Sequence, residues 1–359
     1  MISGHGGNIF ELANRLKCSP FAIIDMSSNV NPLGPPSGLL DAIGKNLNSI
    51  TALPEADSSS AIQAFSNFYN IDPLSVLAGN GTTQFIYMLP MVLGSQRVCI
   101  ISPTYSDYED ACIANKVAFK NIILSEKNGF QLRFSEIDKK ISAFDTIFIC
   151  NPNNPTGQLI AKEKLEKLCL SNGAKNFIID ESYLPFVPGN TDNSMINSRL
   201  DNIVVLNSMS KIFKIPGLRI GFIVASKGLI ERFKACMLPW SLNSLAQTAV
   251  TYLMKKDDEV KEFIYKTRNY LTHERSEFLR NINKIKGIKA FPSVTSFILM
   301  KLEGKKRASE ICQELAINKF LIRNCSNFRG LNDRFIRISL KEREYNILAV
   351  EQLRRIIFR

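Results

Sequence analysis

The stretch Ile203-Val-Val-Leu-Asn-Ser-Met-Ser-Lys-Ile-Phe-Lys-Ile-Pro-Gly-Leu-Arg-Ile-Gly-Phe-Ile-Val224 decides the fold. It holds two short apolar runs, Ile203–Leu206 and Ile220–Val224. The first stops at Asn207-Ser208, and the second follows the Pro216-Gly217 turn. The same punctuation recurs upstream. Val98–Ile101 stops at Ser102-Pro103, Thr146–Cys150 at Asn151-Pro152, and Phe177–Ile179 at Asp180-Glu181. Short runs without alternation, spaced by helix-length segments, predict strands buried on both faces of a mostly parallel sheet. Polar residues follow directly on the strand ends, where open α/β sheets bind ligands.

Working outward, the first 40 residues are broken by Gly4, Gly6, Gly7, Pro32, Gly34, Pro35, Pro36 and Gly38, with one short strand expected at Ala22–Met26. They read as an N-terminal arm, residues 1–40. Residues 41–230 read as a large α/β domain, its mostly parallel sheet sandwiched by helices. Beyond it the pattern changes to a long amphipathic helix over Asp258–Asn283. Strands of mixed pattern follow at Thr295–Leu302, Phe320–Asn324 and Arg334–Leu340, then a last helix at Glu342–Ile357. Residues 231–359 therefore read as a smaller α+β C-terminal domain.

Composition bounds the class. A chain of 359 residues with 45% hydrophobic and 22% charged residues fits a globular enzyme with a core of ordinary size. The net charge of +12 is spread along the chain without a basic arm, which points to a field for small anions rather than a nucleic-acid surface. Eight cysteines form no CxxC pair, and the only histidines are His5 and His273, so no metal site is expected. Scattered cysteines and the absence of a signal peptide or an apolar run of membrane-spanning length suggest a cytoplasmic protein with no membrane partner.

The polar strand ends carry the chemistry. Lys211, directly after a strand end, is a candidate Schiff-base amine, because burial and neighbouring cations free a lysine's lone pair. Ser208 and Ser210 beside it, with the fork of Arg219, suit a phosphate dianion. Gly81 and Thr82, in Ala78-Gly-Asn-Gly-Thr-Thr83, precede a periodic helix whose first N–H groups form an anion site. Asp180 suits a protonated ring nitrogen, or, more plainly, a helix N-cap. Tyr183 could reach a ring hydroxyl or simply pack in the core. The loop Asn151-Pro-Asn-Asn-Pro-Thr-Gly157 holds the amide of Asn154 over a strand end. Tyr105 offers a ring for stacking.

Taken together and in this order, these residues resemble the fold-type I enzymes that use pyridoxal 5′-phosphate, the aspartate aminotransferase-like family. The resemblance spans nearly the whole chain. It implies that Lys211 forms the Schiff base and shuttles protons, that Asp180 pairs with the pyridine nitrogen, and that Asn154 and Tyr183 contact the ring oxygen. It further implies that Tyr105 stacks on the ring and that Gly81, Thr82, Ser208, Ser210 and Arg219 hold the phosphate.

The two ends narrow the resemblance. His5-Gly-Gly-Asn8, Ser28-Asn-Val-Asn-Pro-Leu-Gly-Pro-Pro36, Met237-Leu-Pro-Trp-Ser-Leu-Asn243 and Leu321-Ile-Arg-Asn-Cys-Ser-Asn-Phe-Arg-Gly330 resemble the threonine-phosphate decarboxylases of cobalamin biosynthesis. That likeness implies a small anionic phospho-amino acid as substrate, bound by His5, Gly6, Asn29, Asn154, Arg323 and Arg337, in a homodimer. Phosphothreonine would yield aminopropanol phosphate, the linker of the cobamide nucleotide loop, and phosphoserine would yield ethanolamine phosphate. A histidinol-phosphate-type aminotransferase is the alternative. A non-catalytic cofactor-binding regulator is more remote, since no residues are left over for a DNA-binding module. One departure stands out: Leu53 precedes Pro54 where the family usually has a Tyr that reaches the partner subunit's cofactor phosphate.

Overall fold

The computed structural model describes residues 6–359. Among the described residues thirteen strands run in chain order as β1 Ile24–Asp25, β2 Val76–Asn80, β3 Arg97–Ser102, β4 Ala118–Ile123, β5 Thr146–Cys150, β6 Asn176–Asp180, β7 Ile203–Ser208, β8 Ile220–Val224, β9 Ile288–Ala290, β10 Phe297–Leu302, β11 Phe320–Leu321, β12 Arg323–Asn324 and β13 Phe335–Ser339.

Seven of them form the main sheet in the order β2-β8-β7-β6-β5-β3-β4. Its centre is parallel from β4 through β7, as expected. Strands β5, β7 and β8 are buried at every position, which is why each carries a near-continuous apolar run. Strand β8 is the exception in this mostly parallel sheet, running antiparallel to both β7 and β2. The connection Met209–Arg219 is too short for a crossover, and a parallel pairing needs about a dozen residues or more. Strand β4 gives no sequence signal, because it is an edge strand with partly exposed residues.

A second sheet, β12-β13-β10-β9, is wholly antiparallel. The single strand expected over Phe320–Asn324 divides in two: β11 pairs with β1, while β12 pairs with β13. The chain thus changes partners at Ile322, leaving Arg323 directly opposite Arg337. The strand expected over Ala22–Met26 shrinks to Ile24–Asp25, because Ser19 caps a 3-10 turn over Pro20–Ala22. One continuous buried cluster links both large sheets through residues such as Phe148, Phe177, Leu206, Ile298 and Ile338. Among the described residues no helix is long and apolar enough to cross a membrane.

Candidate active site

The C-terminal ends of β5, β6 and β7 and the start of β8 enclose a cavity of about 100 Å³. Every cofactor-binding residue expected from the sequence lines it: Gly81, Thr82, Tyr105, Asn154, Asp180, Tyr183, Ser208, Ser210, Lys211 and Arg219. Thr83, Tyr108, Cys150 and Ser182 complete the wall, and the sequence reading did not find them. Tyr108 had a signal. It lies three residues after Tyr105, at the start of the helix Asp107–Ala114.

One end of the cavity is a tight polar cup. The helix Gly81–Leu93 begins directly after β2, with Gly81 at a φ of 71°. A side chain there would meet Arg219 Nη2 at 2.7 Å, and one at Gly221 would meet the Thr82 nitrogen at 2.2 Å. The Gly81 N–H donates to the Arg219 carbonyl at 2.9 Å. Helix-start N–H groups, the hydroxyl of Ser208 and the Arg219 fork therefore converge where only glycines let the backbones approach. Ser210 also ties the lysine turn to β8, its hydroxyl donating to the Ile220 carbonyl at 3.3 Å.

The far end suits a nitrogen heterocycle. Asp180 is 5% exposed at the end of β6. Its Oδ1 accepts the Ser182 N–H at 3.0 Å, and its Oδ2 accepts the Tyr108 hydroxyl at 2.7 Å. The plainer reading of Asp180 as a helix N-cap would thus account for one oxygen only, the one on the Ser182 N–H. Asn154 Oδ1 accepts from Arg337 Nη1, and the Arg337 Nη2 donates to the Ser27 carbonyl at 2.6 Å. The Asn29 amide donates to the Tyr183 hydroxyl at 3.3 Å and accepts from Ser339 Oγ at 2.6 Å.

Lys211 lies between the two ends. Burial pushes its amine down to about 8, helped by the cations Arg219 and Arg337 and opposed by Asp180 and Asp107. A lysine so shifted is neutral far more often near physiological pH than an ordinary one, as an attacking amine must be. The N-terminal segment fixes its turn. The Asn31 N–H donates to the Lys211 carbonyl at 3.0 Å, and the Asn31 amide bonds to the Ile212 carbonyl and the Thr267 hydroxyl.

The expected substrate residues divide. Arg337 is 4% exposed and bonded to the site through Asn154, and its Nε has no hydrogen-bond partner among the described residues. Arg323 lies opposite it but outside the cavity lining, with Nη2 on Asn327 and its guanidinium over the Phe328 ring. Asn29 acts on the cavity through Tyr183, and Gly6 packs on the Ser27 carbonyl. His5 lies outside the described residues. An anion cup, a buried carboxylate and a lysine between them fit pyridoxal 5′-phosphate, with its phosphate, ring nitrogen and aldehyde.

Comparison with known proteins agrees with that fit. The sequence pattern described as Aminotransferase class I and II matches residues 22–353. The chain is 30% identical to the threonine-phosphate decarboxylase of Salmonella typhimurium, over 99% of this chain and 97% of that protein. It is 28% identical to the adenosylcobalamin biosynthesis bifunctional protein of Leptospira interrogans, over 99% of this chain but only 41% of that longer protein. The crystal structure of the histidinol-phosphate aminotransferase from Clostridium acetobutylicum matches with a TM-score of 0.86 at 28% identity, over 94% of this chain and 99% of that one.

Proposed function

The chain belongs to the aminotransferase class I and II family, and from that premise we propose that it is a carboxy-lyase acting on an O-phospho-amino acid. The cofactor is pyridoxal 5′-phosphate, whose protonated ring, when bound, draws off the electron pair left on the substrate Cα as a Cα bond breaks.

The residues take the following parts in this reading. Lys211 supplies the amine that holds the cofactor and afterwards returns a proton to Cα. Asp180 faces the ring nitrogen, Asn154 and Tyr183 orient the ring oxygen, and Tyr105 covers a ring face. Gly81, Thr82, Ser208, Ser210 and Arg219 form the phosphate cup. Arg337 anchors the substrate, with Arg323 beside it for a second anionic group and Asn29 bracing Tyr183.

The observation that carries the substrate class is the buried Arg337, whose Nε has no hydrogen-bond partner among the described residues, set directly opposite Arg323 on the neighbouring strand. Burying a guanidinium with an unmade hydrogen bond is costly unless an anion completes it. Two forks side by side suit a molecule carrying both a carboxylate and a phosphate. The likeness of the chain ends to threonine-phosphate decarboxylases, and the relative in Salmonella typhimurium, support decarboxylation. Phosphothreonine is the first substrate on this reading, giving aminopropanol phosphate for the cobamide nucleotide loop. Phosphoserine is the second, because one methyl is worth only about 1–3 kcal/mol of discrimination.

The likeness to a histidinol-phosphate aminotransferase structure favours a second reading, transamination of a related phosphorylated amine. Product analysis separates the two. Phosphothreonine, phosphoserine and histidinol phosphate are each incubated with the holoenzyme, with and without 2-oxoglutarate. The proposal expects CO2 and an amino-alcohol phosphate with no need for the keto acid. Stoichiometric consumption of 2-oxoglutarate without CO2 would overturn it.

A homodimer belongs to the same reading. Leu53 is 74% exposed, Leu40, Leu47 and Ile50 are exposed just before it, and Trp240, partly exposed, is bonded through its backbone N–H to the Ala56 carbonyl. Apolar exposure of this kind is what a second copy covers. With Leu53 in place of Tyr, the partner's phosphate contact is lost while the interface keeps its apolar character. Light scattering of the holoenzyme tests this, and a monomer would exclude the dimer.

A further inference from the structure

The wall of the cavity contains a hydroxyl that none of the roles above uses. Tyr108 is fully buried in the first turn of the helix Asp107–Ala114. Its ring stacks on Phe148 at 5.0 Å between centroids and 25° between planes, and meets the edge of Tyr105 at 5.8 Å. So packed, the ring brings its hydroxyl to Oδ2 of Asp180 at 2.7 Å, with the Cys150 thiol as its other polar neighbour.

We propose that Tyr108 is a positioning residue for the cofactor ring: its hydroxyl, donated to Asp180, keeps that carboxylate ionised so that the shared proton resides on the ring nitrogen. The physical problem it solves is specific to a buried pair. A carboxylate facing a protonated heterocycle away from water has two arrangements, one ionic and one neutral with the proton on the carboxylate. Desolvation favours the neutral arrangement. Donors to the carboxylate favour the ionic one. Asp180 has two such donors, the Ser182 N–H on Oδ1 and the Tyr108 hydroxyl on Oδ2. Only the second is a side chain that substitution can delete.

The surroundings agree with a donor that never ionises. Burial and the charge of Asp180 push the Tyr108 hydroxyl far above its ordinary range, so it stays protonated at every working pH. The other titratable groups near this pair include the Cys150 thiol, the Tyr183 hydroxyl and the Glu181 carboxyl, all pushed up chiefly by burial, and the Tyr105 hydroxyl, pushed up by burial and by Asp107. Lys211 is the nearby cation. Because electron withdrawal depends on the ring proton, Tyr108 acts on turnover through Asp180 without touching substrate.

This inference rests on the cofactor and not on the choice between decarboxylation and transamination. Its test uses the resting holoenzyme, reconstituted with pyridoxal phosphate labelled with 15N in the ring. In the unsubstituted enzyme the nitrogen resonance should lie at the protonated position. In Tyr108→Phe, which keeps the ring and its stacking, it should move toward the unprotonated position at the same pH. The value of kcat should fall roughly tenfold to a hundredfold, the effect of one hydrogen bond to a charged group, with KM little changed. An unmoved resonance in a variant that binds the cofactor would overturn the proposal, while failure of the unsubstituted enzyme to bind the label would instead overturn the cofactor assignment. Should the Phe variant not take up the cofactor, neutron diffraction on the unsubstituted holoenzyme decides. The proposal requires the hydroxyl deuteron to point at Asp180 and a deuteron on the ring nitrogen. A deuteron on the carboxylate, or a hydroxyl turned to Cys150, refutes it.

Discussion

Replacing Gly221 by Ala should cripple cofactor binding while leaving the fold intact. Gly221 sits in β8 between Gly79 of β2 and Ser208 of β7 in the strand register. An added methyl would lie 2.2 Å from the Thr82 nitrogen and 2.4 Å from the Gly81 carbonyl carbon, both backbone atoms that no rotamer change can move. Restoring van der Waals contact requires the start of the helix Gly81–Leu93 to retreat by about 1.2 Å. A charge-assisted N–H···O bond of about 2.8 Å to a phosphate does not survive that shift. The loss of one such bond, about 1.5–3 kcal/mol, weakens binding roughly tenfold to a hundredfold. The assay is titration of the apoenzyme with pyridoxal phosphate, followed by visible absorbance. Gly228→Ala is the control, since nothing lies within 4 Å of the added methyl and the residue is helical. It should leave binding unchanged and stabilise the protein by about 0.5–1 kcal/mol. Cofactor affinity within about twofold of the parent in Gly221→Ala would refute the placement of the phosphate cup.

Lys211→Met should abolish both turnover and borohydride-fixable attachment of the cofactor. The same variant tests the buried amine, whose folded value of about 8 lies below the ordinary 10.5. Between those values the unfolded chain binds the extra proton, so apoenzyme stability gains from this group as pH rises from 8 to 10.5, by about 3 kcal/mol. Urea unfolding of the apoenzyme should therefore find Lys211→Met more stable than the parent at pH 7, with the gap closing toward pH 10.5. Glu181 is the opposite-sign case. Burial raises it to about 7, against bonds from Ser194 and the Met195 N–H that lower it, so the parent should lose stability relative to Glu181→Gln as pH rises from 4.5 to 7. Arg337→Lys keeps the charge but loses the fork that spans Asn154 and the Ser27 carbonyl, and should lower kcat/KM by roughly tenfold or more. Arg323→Lys should act mainly on KM, because that residue lies outside the cavity lining.

Much of the site was legible because its residues sit at strand ends, and strand ends are marked in sequence. Asp180 ends β6, Ser208 ends β7 and Asn154 follows β5, so apolar runs followed by polar residues located all three. Tyr108 left only its spacing from Tyr105 to read, and its role was not legible. It lies in a helix, and only packing on Phe148 turns its hydroxyl toward a carboxylate 72 residues away in sequence. Arg323 was found, but its place was not, because a two-residue strand that changes sheets at Ile322 leaves no periodicity to read.

The sequence alone determined which segments become central strands, since strands buried on both faces must be apolar throughout and must end where polar atoms regain partners. It also singled out the lysine, the residues of the polar cup and the family they resemble, because these lie within short local motifs. Tertiary structure alone decided the direction of β8, the division of Phe320–Asn324, and the bracing of Arg337, Asn154 and Tyr183 by Ser27 and Asn29. Those features depend on which distant backbone offers the unpaired groups, and local propensity carries no record of a partner 150 or 300 residues away.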